Sequence, residues 1–76
     1  MEQAQNITAV VERAYFNQEG KLTIVLEDGA KWVQVDSEPL NKNPKKGSKA
    51  EIRKAVMGSF FMNLDGQRAI RARRVN

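Results

Sequence analysis

The chain predicts an all-β fold, a small antiparallel β-barrel of five to six strands, SH3-like or OB-like. Three observations point there. The dominant hydrophobic period is two: Leu22, Ile24 and Leu26 alternate with Lys21, Thr23 and Glu27, the pattern of a strand buried on one face. Glycines at 20, 29, 47, 58 and 66 fall between the alternating segments, where a chain of short strands must turn. At 76 residues the chain makes one domain, 1–76, with too little volume for a thick core and no cysteine to cross-link it. Rolling the sheet up removes its exposed edges and concentrates that thin core.

The elements follow in order. Residues 7–16 read as a long first strand, with Ile7, Ala9 and Val11 on one side and Val10 on the other. Asn17-Gln18-Glu19-Gly20 closes a hairpin onto the Leu22–Leu26 strand, and Asp28-Gly29 makes the next tight turn. The third strand is expected to place Val33 and Val35 inward and Trp32 and Gln34 outward. Pro39 and Pro44 remove backbone donors, so the segment after it, with Lys42, Lys45, Lys46 and Lys49, is a loop. Ala50, Ile52 and Lys54 alternate against Glu51 and Arg53 in a fourth strand. Met57-Gly58-Ser59 turns the chain, and Phe60, Met62 and Leu64 share one face of a fifth. Asp65-Gly66 turns it again into a closing strand that puts Ile70 and Ala72 inside and Arg71 and Arg73 outside. No segment carries amphipathic helical spacing.

Charge is unevenly distributed. Residues 1–41 hold three bases against seven acids, −4, while 42–76 hold ten bases against Glu51 and Asp65, +8; the sum is the formal +4. Such a split predicts one acidic and one basic side, able to steer an anionic partner or a second copy. The opening residues lack a signal-peptide pattern, and no apolar run is long enough to cross a bilayer. The expectation is a soluble protein without membrane insertion, cytoplasmic as written, or periplasmic if Met1 replaces a removed leader.

The pattern Leu26-Glu27-Asp28-Gly29, Trp32 with Gln34, Lys46-Gly47 before Glu51-Ile52-Arg53, Gly58-Ser59 and the closing Ile70-Arg71-Ala72-Arg73-Arg74-Val75 spans most of the chain. It resembles short, uncharacterised proteobacterial small β-barrel proteins, many of them bearing signal peptides. Those favour an L-x-D/N-G-x-x-W-x-Q hairpin and a closing R-V-x-R-V strand. The chain departs from them at Ser48, where an acid is usual, and at Ala50 and Ala72, where a larger aliphatic is common. The resemblance implies a barrel domain and carries no activity with it.

Two candidate surfaces emerge. One is apolar: Trp32, Phe61 and Val25 fall opposite the residues assigned to the core, as satellite packing, an oligomer interface or a stacking platform. The other is basic: Lys45, Lys46, Lys49, Arg68, Arg71, Arg73 and Arg74, in the loop 42–49 and the last strand, form either a solvated face or a phosphate-binding one, since the planar guanidinium grips phosphate with two bonds. Chemistry has little to work with. There is no histidine to act as a base near neutrality and no cysteine nucleophile, and neither a metal-loop nor a phosphate-loop spacing occurs. The expected function is a non-catalytic binding or assembly module without a cofactor. A protein partner or a second copy on the apolar residues comes first; nucleic acid on the basic ones is the alternative.

Overall fold

The computed structural model describes residues 7–55 and 58–75. Six strands form: β1 (Ile7–Phe16), β2 (Leu22–Leu26), β3 (Lys31–Gln34), β4 (Lys49–Lys54), β5 (Phe60–Leu64) and β6 (Ile70–Arg74). They close into an antiparallel barrel in the order β1-β2-β3-β6-β5-β4, with β4 pairing back onto β1. Two three-stranded meanders, β1–β3 and β4–β6, are therefore joined edge to edge, and neither keeps a free edge. Of the expected turn at Met57-Gly58-Ser59, Met57 lies outside the described residues.

β1 closes the barrel by serving two neighbours. Ile7–Val10 pair with β4, and Val11–Phe16 pair with β2. The handover coincides with a register shift between Val11 and Arg13, where one residue is inserted relative to β2. A bulge of this kind bends the strand, as a tight barrel requires. It also exchanges the faces. Val11 is fully buried before it, and beyond it Ala14, not Arg13, packs against the core.

The core draws on every strand: Val11, Leu22, Ile24, Leu26, Trp32, Ala50, Ile52, Met62, Leu64, Ile70 and Ala72 are all buried, with Ala30 from the β2–β3 turn. Small residues at 50 and 72 sit opposite large ones, Ala50 beside Leu64 and Ala72 beside Phe60, which lets side chains interlock in a narrow barrel.

The inward assignment of Val33 and Val35 is corrected. Trp32 is 6% exposed and lies in the core, and Val35 is among the exposed apolar residues. The cause is the length of the turn. Leu26 N–H donates to Ala30 O, leaving Glu27-Asp28-Gly29 as a three-residue loop, with Gly29 at φ +92 and Ala30 N–H held by Asp28 Oδ1. That pairs Ile24 with Trp32. A two-residue turn at Asp28-Gly29 would have paired Ile24 with Val33 instead, because a one-residue slip reverses every face. The indole meets the Phe60 ring edge to face, centroids 4.9 Å apart, and its buried Nε1–H finds no hydrogen-bond acceptor among the described residues.

The connection between the meanders is long but tied down. Val35 N–H donates to Arg71 O, Gln67 exchanges hydrogen bonds with the backbone of Lys42, and Gly47 N–H donates to Val11 O. Leu40 packs against the core and Pro44 is buried, so this loop covers part of the barrel.

Candidate functional site

The charge split maps onto the two halves of the barrel. The acid-rich part of the chain builds β1–β3, and the base-rich part builds β4–β6. On the outer face of the second half, strand pairing sets Arg53, Phe61 and Arg71 side by side on β4, β5 and β6. Both guanidiniums lie against the Phe61 ring, Arg53 at 5.0 Å and Arg71 at 5.4 Å from its centroid. These are cation–π distances. The row below holds Glu51 and Asn63, and Asn63 is fixed by donating to Gln67 O while its Oδ1 accepts from Arg53 at 3.4 Å. Arg73 projects from the same face of β6 as Arg71 and is exposed. Among the described residues Arg53, Arg71 and Arg73 make no ion pair.

A cleft of about 400 Å³ opens beside this group, lined by Asp36, Glu38, Phe61, Arg68, Ala69 and Arg71. Asp36 orders it from the loop side. Partial burial works to raise the Asp36 pKa, yet hydrogen bonds from the Gln34 amide and the backbone N–H groups of Arg71 and Glu38, with the Arg71 charge, hold it below its ordinary value. Glu38 pairs with Arg68 across the cleft. The carboxylates thus occupy one flank, and the β4–β6 flank remains cationic.

Other members of the sequence-derived sets lie elsewhere. Trp32 is removed from the apolar surface by its burial. Val25 is half-buried on β2 between Arg13 and Lys31, on the half of the barrel away from Phe61. The three apolar candidates therefore form no common patch. In the basic set, Lys46 pairs with Glu12 at 3.5 Å near the β1 bulge. Lys45 and Lys42 lie near the Asp65 turn, where the backbone N–H of Lys49 and the Ser48 hydroxyl, helped by those two cations, lower the Asp65 pKa. Arg74 follows Ile70 and Ala72 in the alternation, so it sits at the rim in register with Trp32 and not beside Arg71 and Arg73. The expected continuous basic face contracts to Arg71 and Arg73, joined by Arg53, which the sequence reading did not select. Its signal was alternation, since Arg53 lies opposite Ile52 on a strand whose register on β5 was unknown.

An apolar feature outside those sets is Phe16, 58% exposed at the end of β1, beside a cleft of about 260 Å³ with Leu22, Gln34, Pro39, Leu40 and Asn43. Among the described residues no cluster of acids could hold a metal ion, and no helix is long and apolar enough to cross a membrane. The chain matches no protein-family model, no curated protein and no solved structure.

Proposed function

We propose that this barrel is a non-catalytic binding module whose ligand is a polyanion, nucleic acid in the first place, held on the outer face of β4–β6. The observation that carries the reading is the set of three arginines, Arg53, Arg71 and Arg73, which form no ion pair among the described residues and lie on a surface fixed by strand register. The planar guanidinium fork is pre-organised for phosphate, so less freedom is lost for each hydrogen bond formed, and release of counterions supplies the affinity. The acid-rich half repels the same ligand and so orients it onto this face. Fluorescence anisotropy with labelled oligonucleotides tests it: binding is expected at low salt and weakens steeply as salt rises. Affinity weaker than millimolar at low salt removes the reading.

A protein–protein role is the second reading, now supported by Phe16 and no longer by Trp32. An aromatic more than half exposed beside Pro39 and Leu40 offers an apolar anchor of the kind found at interfaces. Molecular mass measured across concentration, for the native chain and for Phe16→Glu, checks self-association at this end. A monomer in both cases eliminates that form of it.

A further inference from the structure

We infer that the Arg53–Phe61–Arg71 group is a base-stacking site, which makes the ligand class single-stranded nucleic acid and not duplex; this rests on the polyanion reading and deepens it. Phe61 is an apolar ring on the outer face of β5, half-buried, and the described residues that line the cleft beside it are mostly charged: Asp36, Glu38, Arg68 and Arg71, with Ala69. Its alternation partners Phe60 and Met62 fill the core, so Phe61 is not needed there. An aromatic presented outward from a sheet and flanked by arginines offers a nucleobase a π surface and its phosphates a cationic border. Duplex bases are already stacked and cannot use the ring.

The spacing says how a base would enter. With guanidinium carbons 5.0 and 5.4 Å from the ring centroid, neither arginine leaves room for a base beneath it. One arginine must swing off: both are exposed and in no ion pair among the described residues, and Arg53 gives up only its 3.4 Å hydrogen bond to Asn63 Oδ1. An exposed cation–π contact is weaker than a stacked base, so the exchange favours the base, with the displaced arginine free to stack on its far side or to reach the adjoining phosphate. The cleft beside Phe61 gives the stacked base neighbours of both kinds, donors from Arg68 and Arg71 and acceptors from Asp36 and Glu38. Arg73 lies farther along β6, placed for the next phosphate along the strand.

The test compares one labelled single-stranded 12-mer with its own duplex and with polyglutamate, by anisotropy at two salt concentrations, for the native chain and for Phe61→Ala, Phe61→Trp and Arg73→Gln. Trp32 emission confirms that each non-tryptophan variant keeps its core. Phe61→Ala is expected to weaken single-strand binding about tenfold without changing its salt slope, and Phe61→Trp to retain it. Arg73→Gln is expected to flatten the slope. Equal affinity of Phe61→Ala and native chain, or duplex bound as tightly as single strand, overturns the stacking site. If Arg73→Gln still flattens the slope in that case, the polyanion surface survives alone; if polyglutamate binds as well as the oligonucleotide, the face is a general polyanion surface, and both the stacking site and the preference for nucleic acid fall.

Discussion

Ile24 and Ile52 are almost completely enclosed, on β2 and β4, and the barrel has few side chains with which to fill a gap at either position. Truncating either to alanine removes three carbons and leaves a cavity, at a cost of about 2–5 kcal/mol. That is comparable to the whole stability of a domain this size, so Ile24→Ala and Ile52→Ala should be largely unfolded in a denaturant titration. Arg73→Ala should lose less than about 0.5 kcal/mol in the same assay, since its side chain is exposed and bears no ion pair among the described residues. The alternation of small and charged residues made this contrast legible in the last strand, where only one parity is apolar. It was not legible in β3. There Trp32 occupies one parity and Val33 and Val35 the other, so both faces qualify as inward. One extra loop residue, Glu27, decides between them, and Asp-Gly serves in two-residue and three-residue turns alike.

Between the meanders, residues 35–48 behave as a strap whose main rivet is Asp36. One oxygen accepts from Gln34 Nε2 at 2.6 Å and from Glu38 N–H at 3.3 Å; the other accepts from Arg71 N–H at 2.9 Å. An asparagine cannot accept at both, so Asp36→Asn turns one end of the side chain into a donor facing donors, costing about 1–2 kcal/mol for this solvent-accessible group. The pH dependence has a definite sign. Because folding lowers the Asp36 pKa, its contribution is fully present above the unfolded carboxylate range and is lost as pH falls through the folded value. Stability measured at pH 7 and in the acid range should therefore fall less in Asp36→Asn than in the native chain; equal falls would show that Asp36 is not the rivet. Asp65 is lowered too, and comparing the two chains cancels its share. The sequence announced this segment as a loop through Pro39 and Pro44, but its ties pair Asp36 with Arg71 and Lys42 with Gln67. Such contacts have no local pattern, and they exist only once β3 and β6 are neighbours.

At the scale of the molecule, the proposed binding face follows from topology acting on charge. Because β4–β6 form one continuous half of the barrel, a base-rich stretch of sequence becomes a base-rich stretch of surface. Had the two meanders interleaved strand by strand, the same residues would have alternated acid and base around the circumference, and no patch would exist. Not every base reaches the patch, since Lys46 and Arg68 are neutralised by Glu12 and Glu38 from the other half. Arg53, Arg71 and Arg73 remain as the proposed contacts for phosphate. A single strand neutralised at these three positions should show a slope of about −2.1 in log K against log salt, roughly −0.7 for each phosphate. Between 50 and 200 mM salt the affinity should then fall about 20-fold. A slope near zero would assign the attraction to apolar or stacking contact and not to phosphate. A slope much steeper than about −4 would mean that Lys42, Lys45, Lys46 and Lys49 join in, which requires the strand to pass the Asp65 turn and break the Lys46–Glu12 pair. Glu12→Gln separates those cases, for releasing Lys46 should steepen the slope only if the strand runs that way.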